Sequence, residues 1–381
     1  MGDLLIVGAG PAGLSTALFL VARDPSLAAR IEVVDRAIFP REKYCAGAIG
    51  ARADKLLATI GVHVDVPSVR ADGLAVRFNK GIASRSVGNI GRVVRRFEYD
   101  AALLAIARSR GIRVTEGVKV TGLRAHRTGV SVETTQGVRE VRAVVGADGV
   151  QSMVRKALGV VPGTLRAQVV EVDTPRVKDD LDGILDFDLR DEGLLGYAWD
   201  FPTLVDGRPL MCRGVYDLGW EASEAIDVNA RLERHLQERG LSSKGLPLKR
   251  YSVRGLELHR PMAAERVLLV GEAAGVDPLL GEGIAQSLAS GELAADYLLP
   301  RLADDRMHFR DWRLSFARSA TGLDLLARTA ALQLLRTPGR RRVLEALTLR
   351  APEALDVTTS LFAGLPLPKR SAFTALRRLL P

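Results

Sequence analysis

The first 24 residues, MGDLLIVGAGPAGLSTALFLVARD (1–24), carry the reading on which the fold turns. Residues 4–7 (LLIV) are an apolar run of the right length for one buried strand, and Ala12 to about Val21 continue as a helix. Between them, Gly8-Ala9-Gly10-Pro11-Ala12-Gly13 matches G-x-G-x-x-G. Glycine supplies 37 of the 381 residues, so the spacing alone has little weight. Its place after a strand and at the opening of a helix has much more. A second strand, residues 31–34 (IEVV), ends at Asp35, 22 residues beyond Gly13. This β–α–β unit predicts a parallel sheet. Gly8 permits the tight turn, Gly10 lets the backbone approach a pyrophosphate, and Gly13 lets the helix close on the strand. The helix N-terminus, at Ala12, then faces the negative charge. Asp35 is placed to accept hydrogen bonds from ribose hydroxyls, while its neighbour Arg36 could instead receive a phosphate. The same segment imitates a signal peptide in its apolarity. It lacks a basic leading region and glycines interrupt it, so it reads as folded structure.

Two further glycine turns stand at strand ends. Gly146-Ala147-Asp148-Gly149 is followed by Ser152 and Arg155, and Gly271-Glu272-Ala273-Ala274-Gly275 by Asp277-Pro278 and Gly281-Glu282-Gly283-Ile284. One crossover holds an ADP half, whereas several strand-end loops along the chain predict a longer ligand lying across the sheet. The second helix N-terminus, near Ile284, offers N–H groups to partial negative charge on a ring carbonyl. Coarse periodicity divides the chain accordingly. Residues 1–60, 92–160 and 260–300 read as a discontinuous nucleotide-binding unit, with a helix from Tyr99 to about Arg108 and a β-meander after it. Residues 61–91 and 165–257 are β-rich insertions forming a substrate domain, with one helix near 229–239, and residues 301–381 are helical. The fold class expected is α/β, a Rossmann-like domain with a parallel sheet plus β-meander, an inserted β-rich domain and a helical C-terminal region.

Composition bounds the function classes. Hydrophobic residues are 47% and charged residues 26%, which supports a sizeable core and excludes disorder as the main state. Cys45 and Cys212 cannot build a disulfide framework, which points to a reducing cytoplasm. The five scattered histidines lack metal-ligand spacing, so no metal site is expected. No run of 18 apolar residues occurs, which argues against a spanning helix. The net charge of +9 is concentrated late: from Arg301 onward there are 15 Arg or Lys against 7 Asp or Glu. Arginines beside leucines, as at Arg336, Arg340, Arg341, Arg342, Arg377 and Arg378, suit a solvated helical face or an anionic membrane surface. Aromatics are 5% of the chain and none alternate with these arginines, so nucleic acid is not an expected partner.

The order GAGPAG, Asp35, Arg96-Phe97-Glu98-Tyr99-Asp100, GADGVQSMVR and GEAAGVDPLLGEGIAQSLASGELAA resembles the FAD-dependent enzymes of the para-hydroxybenzoate hydroxylase fold. Within that superfamily it is most similar to the geranylgeranyl reductase family. FPREKYCAGAIG (39–50), GYAWDFP (196–202) and GVDPLLGEGI (275–284) resemble that family's Lys-x-Cys-Gly-Gly segment, its Tyr-x-Trp-x-Phe-Pro motif and its flavin-facing loop. The likeness spans nearly the whole chain. It implies FAD as cofactor, with Gly8, Gly10, Gly13 and Asp35 at the ADP end, Arg96 and Asp148 along the molecule, Glu272 near the ribityl chain, and Gly281, Gly283 and Ile284 at the isoalloxazine. Two departures stand out. Glu272 replaces the family's usual Asp, so its extra methylene must shift the loop or admit a water. Ala46 and Ala48 replace glycines after Cys45, adding methyl groups where the family leaves room.

Tyr197, Trp199 and Phe201 alternate along a strand-like segment and so share one face, with Ala198 and Asp200 on the other. An aromatic face of this kind forms core, or the apolar wall of a cavity that takes prenyl or aromatic ligands. Tyr197 and Cys45 are the candidate proton donors, Trp199 and Phe201 the candidate substrate contacts, and Lys43 could stabilise a Cys45 thiolate. The function expected is FAD-dependent reduction of isoprenoid carbon–carbon double bonds, with NAD(P)H or another reductant as transient electron donor. The alternatives are a flavin monooxygenase of an aromatic or polyketide-like metabolite, a halogenase variant of it, and a non-catalytic flavoprotein. A peripheral hold on anionic membrane through the C-terminal arginines would accompany the first.

Overall fold

A computed structural model describes residues 2–160, 165–218, 226–304, 306–335 and 339–365. Its core sheet begins with Gly2–Val7, which pairs in parallel with Ile31–Val34 on one side and with the end of Gly137–Gly146 on the other. Arg113–Thr115 and Val267–Leu269 extend it in parallel at either flank. Leu5, Ile6, Val33, Val144 and Val267 are fully buried, as expected for parallel strands covered on both faces. The first half of Gly137–Gly146 closes an antiparallel meander with Val120–His126 and Gly129–Thr134.

Helices Pro11–Arg23 and Ile284–Ala303 cover this sheet and lie against each other. Their approach depends on Gly291, where a Cβ would stand 1.9 Å from Ser15 Oγ and 2.7 Å from the Ala12 carbonyl oxygen. The second helix runs to Ala303, with Pro300 in its last turn. Arg96–Ser109 begins three residues before Tyr99.

The second sheet has eight strands in the order Lys249–Arg254, Arg166–Thr174, Arg208–Asp217, Gly196–Val205, Ile184–Asp188, Ser68–Phe78, Gly81–Val94 and Ala48–Gly50. All pairings are antiparallel except Ile184–Asp188 with Ser68–Phe78. The sequence places residues 48–50 in the nucleotide-binding unit. In the structure they are the edge strand of this second sheet, since the chain crosses between layers directly after Cys45. Alternation gives the sheet two apolar faces. Val170, Val172, Ala198 and Val215 pack beneath helix Val228–Gln237, and Val169, Tyr197, Trp199, Phe201 and Tyr216 form a separate cluster on the other side. Helices Trp312–Arg318, Ala320–Leu335, Arg340–Arg350 and Ala354–Ala363 complete the described chain. No helix among the described residues is long and apolar enough to cross a membrane.

Candidate active site

The two sheets border one cleft of about 1460 Å³. Every candidate residue read from the sequence lines it except Gly13: Gly8, Gly10, Ala12, Asp35, Arg36, Cys45, Arg96, Asp148, Tyr197, Trp199, Phe201, Glu272, Gly281, Gly283 and Ile284. Gly13 acts from behind. A Cβ there would sit 1.9 Å from the Gly8 carbonyl oxygen, so its lack of a side chain is what lets the helix close on the strand. Gly8 has φ +112°, and a Cβ on it would meet the Ala147 carbonyl oxygen at 2.4 Å, which locks the first glycine turn against the second. At Gly10 the only neighbour of a Cβ would be an Arg41 nitrogen at 3.8 Å, so the backbone there faces open cleft.

Gly10 and Gly283 are the N-caps of the two long helices, and neither helix has a side-chain cap. Two uncapped N-termini thus open on the same cleft, leaving first-turn N–H groups for an anionic or carbonyl-bearing ligand. Asp35 accepts the N–H groups of Ala9 and Ala37, each at 2.8 Å, one on each carboxylate oxygen. Each oxygen keeps a second acceptor position, so the side chain both braces the turn and can still receive hydroxyl donors. Arg36 is exposed at the rim.

Arg96 is buried and makes two bonds of 2.6 Å to Asp100. Arg41 bonds the same carboxylate at 3.1 Å, with its guanidinium 4.7 Å from the Phe39 ring centre. Asp100 therefore positions two cleft-lining arginines at once. The i, i+4 spacing of Arg96 and Asp100 was readable as a pair, but Arg41 gives no such signal. The Asp148 carboxylate serves its own turn, accepting from Ser152 Oγ at 2.5 Å and from the Met153 and Val154 N–H groups at 2.6 and 3.1 Å. Burial nevertheless pushes its carboxyl above the ordinary range. Arg155, also buried, donates to the carbonyls of Val150 and Ala273 and so ties the second and third glycine turns together.

Glu272 reaches to 3.6 Å from Lys43. The Glu272 carboxylate thus faces the Lys43 ammonium. Burial pushes the Cys45 thiol up and keeps it neutral, while its sulfur accepts the Gly47 N–H at 3.4 Å.

Tyr197, Trp199 and Phe201 do share one face. Opposite Trp199 stands Gly214, where a Cβ would lie 2.2 Å from the indole, so the ring rests directly over the neighbouring strand. Phe187 and Tyr216 complete the wall. Tyr197 and Tyr216 stack at 5.2 Å, and Phe187 meets Tyr197 edge-on at 5.1 Å. The Tyr197 hydroxyl donates to the Leu280 carbonyl and that of Tyr216 to the Pro278 carbonyl. Both single phenolic protons are therefore engaged by the loop that leads into helix Ile284–Ala303. Burial also holds both phenols well above their ordinary range.

An FAD binding domain model matches residues 1–183. Digeranylgeranylglycerophospholipid reductase 1 of Methanopyrus kandleri is 30% identical over 335 residues, covering 80% of this chain and 82% of that protein. The chain belongs to the geranylgeranyl reductase family of FAD-dependent oxidoreductases. A menaquinone reductase of Mycobacterium tuberculosis is 27% identical over 395 residues, 95% of this chain and 91% of that one. A geranylgeranyl bacteriochlorophyll reductase-like protein from Thermoplasma acidophilum shares the fold, with a TM-score of 0.76, 18% identity and coverage of 99% and 95%. The cleft fits FAD on its own terms: a side chain at Gly10 would fill it, and two helix N-termini present N–H groups to it. In this member of the geranylgeranyl reductase family the spacing-based reading missed Arg41, Phe187, Tyr216 and Tyr251. The last three sit on strands where alternation marks only a buried face.

Proposed function

We propose that the protein reduces carbon–carbon double bonds of an isoprenoid chain. The observation that carries this reading is the wall of Val169, Leu185, Phe187, Tyr197, Trp199 and Phe201, which lines the cleft without a charged group among them. Such a wall gains by excluding water from an apolar chain. Relatives that act on digeranylgeranylglycerophospholipid and on menaquinone, both isoprenoid-bearing lipids, support the same class. FAD, when bound and reduced, supplies the hydride. Gly8, Gly10, Ala12, Asp35, Arg36 and Arg96 would hold its ADP part, Asp148 and Glu272 its middle, and Gly281, Gly283 and Ile284 its ring. Trp199 and Phe201 align the chain, and the neutral Cys45 thiol and the pinned tyrosines add no charge to repel it.

The test is anaerobic. The flavin is reduced chemically, and prenyl lipids are added in one series and oxygen in another. Reoxidation by alkene without oxygen, with a saturated product, is expected. Oxygen uptake coupled to a hydroxylated product, with no response to alkene, would replace this reading with a monooxygenase.

A further inference from the structure

Glu171 is fully buried on strand Arg166–Thr174, and the reaction described above does not use it. Its Oε2 lies 2.9 Å from the hydroxyl of Tyr251, a cleft-lining residue, and its Oε1 has no hydrogen-bond partner. Charged and titratable groups approach it from every side: Asp173 on its own strand, Lys249 and Tyr251 on the adjoining one, Cys212 across the sheet, Arg95, and Cys45 from the crossing loop. The two cations are engaged elsewhere, since Asp173 holds Lys249 at 2.5 Å and Arg95 at 3.1 Å. An ionised Glu171 would leave a charged oxygen buried and unpaired, which costs far more than keeping the proton. Its carboxyl is accordingly pushed up, by burial first of all.

Resting on the alkene-reductase reading, we propose that Tyr251 is the proton donor of the reaction and that Glu171 reloads it. With the Glu171 proton on Oε2, the carboxyl donates to the phenol oxygen, and the phenol's own proton turns into the cleft. The alkene carbon that receives no hydride takes that proton, so a C–H bond forms as the O–H bond of Tyr251 breaks. The phenolate takes the Glu171 proton, and the carboxylate regains one from water after the saturated product leaves. Hydride and proton together balance the reduction, with the two electrons coming from reduced FAD. Tyr197 does not meet this requirement as it stands, because its proton is held by the Leu280 carbonyl.

The experiment uses full-length flavin-loaded protein. Difference infrared spectra in light and heavy water record whether a protonated carboxyl is present at pH 7, and Glu171→Gln assigns it. Anaerobic stopped-flow then follows reoxidation of the chemically reduced protein by a digeranylgeranyl glycerophospholipid in detergent. Wild type is expected to show the protonated-carboxyl band, which Glu171→Gln lacks. Tyr251→Phe slows reoxidation by about 10²-fold or more, the usual range for a lost general acid. Glu171→Gln slows it at least about tenfold and abolishes the decline in rate that wild type shows as pH rises, a change that a packing role would not produce. Flavin absorbance verifies that each variant is folded. Absence of the band in wild type, or reoxidation of Tyr251→Phe at the wild-type rate, overturns the relay. A wild type that no prenyl lipid reoxidises overturns the alkene reading and the relay with it. That outcome is distinct from one in which wild type and variants react equally.

Discussion

Residues 8–13 and residues 271–283 both bring a helix N-terminus to the cleft, yet they differ in what supports them. The first turn is made by backbone contact, Gly8 against Ala147 and Gly13 against Gly8, with the Asp35 carboxylate bracing it at the Ala9 N–H. The second is held from outside. Arg328 bonds Asp277 at 2.6 Å, Glu282 at 3.1 Å and Asp324 at 3.0 Å, while Arg52 pairs with Glu282 at 2.5 Å and Asp324 at 3.2 Å. A turn fixed by steric contact has one shape, whereas a loop fixed by ion pairs has a shape that chemistry can adjust. The contrast puts rigidity at the Gly8–Gly13 turn and adjustability at the loop before Ile284.

The largest effect should come from Gly13→Ala. The added methyl meets a carbonyl oxygen of the backbone, which cannot swing away, so a loss of about 3 kcal/mol or more is expected, with little folded protein recovered. Denaturant titration followed by intrinsic fluorescence measures it. Gly10→Ala is the partner experiment. Its methyl enters open cleft at an ordinary extended φ of −84°, so stability should hold while FAD affinity falls at least about tenfold. Equal stability losses in the two variants would mean that Gly10 shapes the turn and does not face the ligand.

Arg328→Met attacks the second turn. Removing one member of a buried ion network typically costs about 3–5 kcal/mol, and here Asp277 loses its arginine while Glu282 and Asp324 keep Arg52. Burial already pushes the Glu282 carboxyl up despite Arg52 and Arg328, and without Arg328 it rises further. A raised folded-state value favours the protonated carboxyl, so its contribution is intact below the ordinary Glu range and is lost as pH rises through the raised value. The stability deficit of Arg328→Met should therefore be smallest near pH 4–5 and grow toward pH 8. Thermal midpoints across that range decide it, and a deficit that stays constant with pH would remove Glu282 from the account.

The two turns also differ in how far they can be read from residue order. Gly8, Gly10, Gly13 and Asp35 write their constraints into local spacing, so the parallel sheet and its cradle follow from a few dozen residues. The second turn shows its glycines, but its supports stand 51 and 230 residues away in Arg328 and Arg52. Arg328 belongs to the basic C-terminal stretch, and Arg52 stands in no motif. The basic tail shows the same limit. Arg341 donates to the carbonyls of Asp191, Leu194 and Gly196, and Arg342 pairs with Glu192. The side chains of Arg336, Arg340, Arg377 and Arg378 lie outside the described residues. Glu171 was hidden for another reason: in LRAQVVEVDT (165–174) an acidic residue between valines gives no sign of which face it takes.

The smallest effect is expected at Tyr197, where the aromatic wall meets the adjustable loop. Phenylalanine preserves the ring, its stacking on Tyr216 and its edge contact with Phe187, and removes only the hydroxyl that donates to the Leu280 carbonyl. One buried acceptor then loses its partner, a cost of about 1–2 kcal/mol that falls on the loop and not on the sheet. Because the Tyr216 hydroxyl still holds the Pro278 carbonyl at 3.0 Å, the loop keeps a second anchor and should retain its path. Tyr197→Phe is therefore expected to lower the thermal midpoint slightly, leave FAD affinity within about twofold, and slow alkene-dependent reoxidation less than about tenfold. A loss of 10²-fold or more with flavin fully bound would mean that the Tyr197 proton leaves Leu280 during the reaction. The loop before Ile284 would then be adjustable in its hydrogen bonds as well as in its ion pairs.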